Sequence, residues 1–279
     1  MPAHNSESTV GAAIRSTLRA MPPDSELIVF DDGSTDATAT RINSINDKRV
    51  RVIIADSNIG VAAGLNRMLS SSDSEYVARM DADDICLPWR FSYSHKHLQS
   101  VDVLFTGVIH FGESIASIHM TDPTFIGSRA FSLSLVLENP FAHPTMYARR
   151  GVIQECGGYR GVLAEDYDLW NRLVAGGRSL VRLPAPTVLY RHHSSQVTRQ
   201  NEWRKAALSQ SEFGVGYRAL SKSVLDLEPT WLEDLIEGPT ATGDRQDAIL
   251  GLREALLEQL PKLTPAERRN LRRRIAACL

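Results

Sequence analysis

Residues 76–84 read YVARMDADD. An apolar segment from Tyr76 to Met80 runs directly into Asp81, Asp83 and Asp84. Carboxylates clustered where a half-buried strand ends are costly unless a cation sits among them. Asp81 and Asp83 lie two apart, so an extended backbone points them the same way. Two hard oxygen ligands on one side suit Mg²⁺ or Mn²⁺, which take one or two carboxylates and fill their shells with water and substrate phosphates. The stretch therefore reads as the end of a strand carrying a metal–diphosphate site. An acidic turn that merely stops a strand has the same composition, so a second signal is needed.

Residues 26–36, ELIVFDDGSTD, supply it. Leu27 to Phe30 is a short run of β-formers bounded by turn residues. Asp31 and Asp32 stand at its C-terminal end, Gly33 allows a tight turn, and Ser34 or Thr35 can cap a following helix. An Asp-Gly hairpin would need a second alternating strand downstream, and the pattern there is helical instead. Ligands of open α/β sheets bind outside the carboxyl ends of strands. Two acidic strand ends thus point at one crevice.

The rest of the first half alternates in the same way. Val10, Ile14, Leu18 and Met21 form a helical stripe that stops at Pro22 and Pro23. Helices are expected over 36–45, 60–69 and 88–98, and strands over 50–55, 76–80 and 101–111. Strands alternating with helices of about ten residues imply a single, mainly parallel, Rossmann-like sheet with helices on both faces. Residues 112–140 lack a clear period apart from a short helix over 131–137. Further on, 146–148 and 188–190 read as strands, and 150–156 and 165–174 as helices. From about residue 202 the pattern is helical. The expected division is a domain over 1–200 and a helical C-terminal extension over 201–279.

Six segments then carry a resemblance: MPAHNSEST, IVFDDGSTD, NIGVAAGLN, YVARMDADDICLPWR, HPTMYARRGVIQECGGY and AEDYDLW. In order and spacing they resemble glycosyltransferase family 2, inverting enzymes of GT-A fold, over about residues 1–195. The resemblance implies transfer of a sugar from a nucleotide sugar, with UDP as the expected nucleotide, to a hydroxyl of a glycan or lipid-linked glycan. It implies that Asp83 ligates Mn²⁺ or Mg²⁺ directly, while Asp81 holds ribose or a metal-bound water. Asp32, with Asp31 beside it, would contact the base, and Pro2, His4 and Asn66 would lie at the same pocket. Asp166 is the implied catalytic base, with the neighbouring Glu165 as alternative. Trp170, one turn on, is a candidate for stacking on a sugar, against ordinary core packing. In the closing YRHHSSQVT, His193 matches a histidine that reaches the metal, and Arg191 is a candidate diphosphate contact. Asp84 is read as a helix cap before Pro88.

Composition sets bounds on this. The chain has 279 residues, 31 Lys and Arg against 33 Asp and Glu, and a net charge of −2, which argues against a nucleic-acid binder. Three cysteines, Cys86, Cys156 and Cys278, match no metal or redox spacing. They fit a reducing compartment, so a cytoplasmic location is expected. No run approaches the roughly 18 apolar residues of a spanning helix. A sugar-1-phosphate nucleotidyltransferase would need a glycine-rich basic loop after its first strand, and PAHNSES has none. A glycosidase would need two carboxylates but not DDGSTD and MDADD on neighbouring strand ends. Against a non-catalytic nucleotide-sugar-binding module built on a decayed transferase stand the intact Asp32, Asp83 and Asp166. The oligomeric state leaves no trace in the sequence.

Two further expectations concern the ends. Residues 264–279, TPAERRNLRRRIAACL, combine five arginines with a Leu271, Ile275, Leu279 stripe. Such a basic amphipathic helix fits peripheral contact with an anionic membrane, or packing on its own domain. At the other end, family members carry an apolar strand before the turn that here begins at Pro2, and Met1 leaves no residues for it. The expectation is that the true start lies upstream. The structure should then have a gap between the strands near 27–30 and 76–80, or those strands closed over a distorted site.

Overall fold

The structure is a computed structural model that describes residues 1–112, 118–192, 201–233 and 244–279. It divides into two compact units, each assembled from separated stretches of chain. The first comprises 1–123, 141–161 and 183–193, and the second 124–140, 162–182 and 194–279. The division does not fall at residue 200, because the stretches around 130 and 170 pack with the C-terminal helices.

The first unit begins with β1 (Pro2–Ala3), α1 (Val10–Ala20), β2 (Leu27–Asp31), α2 (Thr38–Asn43), β3 (Val50–Ile54) and α3 (Val61–Ser70). Val10, Ile14 and Leu18 are buried one turn apart, as the stripe requires. β1, β2 and β3 form a parallel three-stranded sheet, with Pro2 opposite Phe30 and Leu27 opposite Val50. α2 is shorter than expected. Asp36 is not in it, because its carboxylate accepts from the Thr38 and Glu7 backbone N–H groups at 2.9 and 3.1 Å. Such local side-chain bonding competes with the helical ladder.

β4 (Tyr76–Ala78), β5 (Ile85–Cys86), α4 (Arg90–His97), β6 (Val103–Phe111) and β7 (His119–Met120) follow. β8 (Tyr147–Arg149), α6 (Arg150–Glu155) and β9 (Leu180–Arg191) come after an intervening helix, α5 (Ser128–Leu135). A second sheet runs in the order β4-β8-β6-β9-β5, with β7 on β6, and its registered pairs are antiparallel. β9 is far longer than the expected 188–190, despite Pro184 and Pro186. Gly107 on β6 makes room for it: a Cβ there would stand 3.0 Å from the Pro184 carbonyl oxygen.

The mixed α/β class is as expected, but the hydrogen bonding divides into two sheets, and the division falls between β2 and β4. A cavity of about 1120 Å³ lies there, lined by Met1, Leu27, Ile28, Tyr76, Ala78 and Met80 among others. On the β2 side the sheet is extended by the two residues of β1, which pair in parallel with Phe30 and Asp31. The Met1 amine is buried in the cavity, donates to Ile28 O at 2.8 Å, and has its pKa lowered to about 4 by burial, then by Arg79.

The second unit is helical. α5 and α7 (Glu165–Ala175) pack with α8 (Asn201–Leu208), α9 (Ser211–Leu225) and helices over Asp244–Gln259 and Pro265–Cys278. The Tyr167 ring meets Phe213 edge-on at 5.1 Å, and the Tyr167 and Tyr217 hydroxyls donate to the Leu135 and Val136 carbonyls. The last helix opens on a capping box between Thr264 and Glu267. Its Leu271 and Ile275 are 1% and 4% exposed, and it packs on α5. Leu271 and Ile275 of the apolar stripe are therefore used inside the unit, the second of the two expectations for this helix. No helix among the described residues is long and apolar enough to cross a membrane.

Candidate active site

At the end of β2 the chain turns through Asp31, Asp32 and Gly33. Gly33 has φ +63°, and a Cβ on it would stand 2.5 Å from the Ser57 carbonyl carbon, so only glycine fits. Asp31 is buried, and its Oδ1 accepts from the Ser34 N–H at 3.1 Å. Asp32, also buried, accepts from the Ile59 and Gly60 N–H groups at 2.7 and 3.0 Å. Its carboxylate thus ties the strand end to the loop that opens α3. His4, just after β1, places Nδ1 2.9 Å from the Asp32 carbonyl oxygen. Asn5, with φ 47°, accepts from Thr35 N–H through Oδ1 at 2.9 Å. The residues expected to cap α2 are therefore engaged by Asn5, and α2 starts only at Thr38.

His4 lies at the Asp31–Asp32 turn, and Pro2 stands opposite Phe30 one residue before it. Asn66 does not reach that turn: its side chain donates to Tyr159 O at 2.7 Å and accepts from Tyr159 N–H at 2.9 Å. It holds α3 to the turn after α6, so the structure corrects its assignment to the nucleotide pocket.

The second acidic strand end lies beyond β4. Ligand oxygens of Asp81, Asp83 and Asp84 all fall within 4.8 Å of one another. Asp81 is paired with Arg79, and Arg90, fully buried, donates to Met80 Sδ at 2.9 Å and to Arg79 O. These two cations beneath the acids were overlooked in the sequence, where Arg79 is the one charge inside YVARM. Asp84 is no helix cap. It is 1% exposed, its Oδ1 accepts from Arg191 N–H at 2.8 Å, and its Oδ2 is buried without a hydrogen-bond partner. Burial, then the charges of Asp81 and Asp83, push its carboxyl up to about 9. A buried orphan oxygen on an acid clustered with two further carboxylates is what a hard divalent cation would satisfy, so these residues fit one.

Arg191 ends β9 in this cluster. Its Nε donates to Asp83 O at 2.8 Å, and its guanidinium stands 4.5 Å over the Phe111 ring. His193, the expected further ligand, lies outside the described residues. Ala3, Met80, Ala82 and Val188 belong to one apolar cluster, so both acidic turns rise from a common core.

In the second unit, Glu165, Asp166 and Asp168 occupy the first turn of α7, where the helix dipole favours them. Asp166 is oriented on both sides: Asn139 donates to its Oδ2 at 2.9 Å, and Tyr167 N–H to its Oδ1 at 2.6 Å. Asn139 lies in the stretch that had no readable signature. Trp170 has no exposed surface, so the stacking role is corrected to core packing.

Nucleotide-sugar chemistry is thus written into an α/β domain whose strands end in paired acids. Residues 1–157 match glycosyl transferase family 2; the chain belongs to that family and is a glycosyltransferase. It is 32% identical over 190 residues to the putative glycosyltransferase EpsE of Bacillus subtilis, covering 63% of this chain and 66% of that one. It is 29% identical over 207 residues to the amylovoran biosynthesis glycosyltransferase AmsE of Erwinia amylovora, covering 71% and 75%. Over 85 residues, 30% of this chain and 34% of the other, it is 33% identical to WfgD of Escherichia coli, a UDP-Glc:α-D-GlcNAc-diphosphoundecaprenol β-1,3-glucosyltransferase. Among solved structures, TarS 1–349 of S. aureus with UDP-GlcNAc superposes with a TM-score of 0.60 at 15% identity, covering 99% of this chain and 87% of that one. The mannosyltransferase PcManGT of Pyrobaculum calidifontis with GDP-Man and Mn²⁺ gives 0.59 at 17%, covering 99% and 78%. The fold is GT-A.

Proposed function

We propose that this protein is a metal-dependent inverting glycosyltransferase of polysaccharide biosynthesis. The donor is a nucleoside-diphosphate sugar, with UDP as the nucleotide, and the acceptor is a hydroxyl of a glycan or lipid-linked glycan. One observation carries the reading: carboxylate oxygens of Asp81, Asp83 and Asp84 lie within 4.8 Å of one another, and Asp84 keeps a buried Oδ2 without a hydrogen-bond partner. Mn²⁺ or Mg²⁺ held there would neutralise the charge developing on the departing diphosphate. Relatives named for UDP-glucose and amylovoran, and the Mn²⁺ complex of a fold neighbour, support donor, pathway class and cation alike.

The chain's own residues take the remaining roles. Asp32 and His4 line the nucleoside end, where an acceptor-only carboxylate suits a uracil N–H or a ribose hydroxyl. Arg191 supplies positive charge for the diphosphate. Asp166, its carboxylate oriented by Asn139, takes the proton of the attacking hydroxyl. Direct attack then inverts the anomeric centre, an α-linked donor giving a β-linked product.

The test is UDP release from a panel of UDP-sugars with Mn²⁺, with and without EDTA, and with Asp83→Asn. Metal-dependent release that Asp83→Asn lacks supports the reading. Release indifferent to EDTA, or consumption of UTP with release of pyrophosphate, overturns it.

A further inference from the structure

We propose that His110, His119 and His192 form a second metal site, one for a borderline transition ion such as Zn²⁺, Co²⁺ or Ni²⁺.

The three histidines are far apart in sequence, and three strand ends of the first unit bring them together. His110 and His119 are register partners on antiparallel β6 and β7, so their side chains leave the sheet side by side. His192 follows β9, and its backbone N–H donates to Phe111 O at 2.7 Å. The result is His110 Nδ1 at 2.8 Å from His192 Nε2. With ring centroids 5.0 Å apart and planes tilted by 21°, those two rings meet edge to edge, each nitrogen aimed at the other. The His119 ring lies over His110 at 4.3 Å, nearly parallel. Tyr190 closes the group edge-on, 5.7 Å from His110 and 5.3 Å from His192.

Two imidazole nitrogens facing at this distance share one proton. An ion bound at about 2.0–2.1 Å from each nitrogen would replace it once the two rings swing apart, since tetrahedral ligands at that range stand about 3.3 Å from one another. His119, stacked on His110 and not aimed at this pair, would join as a third ligand only after its side chain turns. Burial, then the neighbouring His119 and His192, lower the His110 pKa to about 4, so its lone pair is available at neutral pH.

This site is chemically and geometrically separate from the acidic one. Successive residues of a strand face opposite ways. Arg191 turns to Asp83 and Asp84, while its neighbours Tyr190 and His192 turn to His110. Imidazole ligands favour Zn²⁺, Co²⁺ and Ni²⁺, whereas the carboxylates favour Mg²⁺ and Mn²⁺. The proposal therefore stands or falls independently of the catalytic reading.

The test titrates Co²⁺ into the full chain in the presence of excess Mg²⁺, following visible d–d absorption. The variants are Asp83→Asn, His110→Gln, His192→Gln and His119→Gln, each checked by circular dichroism and by its metal-free melting temperature. One tight Co²⁺ equivalent is expected, kept in Asp83→Asn and weakened at least tenfold in His110→Gln and His192→Gln, less in His119→Gln. Binding unchanged in both His110→Gln and His192→Gln, or lost in Asp83→Asn, would overturn the proposal. So would the absence of any Co²⁺ spectrum.

Discussion

The backbone N–H of Arg191 donates to Asp84 Oδ1 at 2.8 Å. Through this bond the end of β9 holds the third acid of a cluster that began at the end of β4. Asp84 is therefore fixed by a residue 107 positions away, whereas Asp81 pairs with its near neighbour Arg79.

If that cluster binds the cation, Asp83→Asn should lower turnover by roughly 10²–10³-fold, the loss typical of a group that stabilises developing charge. The rise in melting temperature on adding Mn²⁺ should shrink with it. A variant as active as the parent, with the same Mn²⁺ response, would remove Asp83 from the site.

Asp166→Asn should reduce kcat by about 10²–10⁴-fold while donor affinity stays within a few-fold. Asn139→Ala should cost less, about tenfold, because it only frees the Asp166 carboxylate to rotate. An active Asp166→Asn enzyme, or product NMR with retained anomeric configuration, contradicts the assignment.

Trp170 distinguishes packing from sugar stacking. Trp170→Ala should destabilise by about 3–5 kcal/mol, read by urea unfolding, and Trp170→Phe by less with an unchanged acceptor KM. A raised KM in Trp170→Phe without loss of stability would return the residue to the acceptor site.

Gly33→Ala tests the turn beneath Asp32. It forces a left-handed φ on a residue with a Cβ, costing about 1–3 kcal/mol, and drives that Cβ against Ser57. Stability and donor binding should fall together; a neutral substitution would mean the turn has another conformation in solution.

The slot between β2 and β4 should accept an added strand. Arg150 N–H donates to Glu75 O and Arg79 N–H to Met146 O. The odd-numbered residues of β4 thus face β8, and Tyr76 and Ala78 direct their backbone groups the other way. Fusing about five alternating Val and Ile residues ahead of Met1 should raise the melting temperature by roughly 5 °C or more. A Gly-Ser-Pro control of equal length should not. Equal behaviour of the two fusions would show that the slot closes on its own.

The sequence made local features legible. The apolar run ending in Asp31 and Asp32, the acids after Met80, and the acidic first turn of α7 are all found where the pattern put them. What escaped depended on partners distant in sequence. β9 extends well beyond 188–190 through Pro184 and Pro186, residues that speak against a strand, and the close approach of Gly107 across the sheet leaves room for it. Asn66 looked like a ligand contact until Tyr159 supplied both its hydrogen bonds. Trp170 sits at a helical spacing that suits a pocket wall and a core equally, and burial alone decides. Asn139 had no motif, since its role is defined wholly by Asp166. The division into units was equally hidden, because it depends on α5 and α7 packing against helices that come later.

That division has a consequence for how the molecule is made. Ile85 pairs with Leu189 across the second sheet, and the first unit draws on residues 183–193. A ribosome therefore releases residues 1–123 well before the stretch that completes them, and the interval alternates between segments of the other unit and residues 141–161 of the first. Folding as each unit emerges, the usual course for domains in tandem, is closed to this chain. Non-local closures of this length also slow folding. Asp84 reaches its hydrogen-bond partner only with Arg191, so this one acid of the three takes its final place only once β9 has paired.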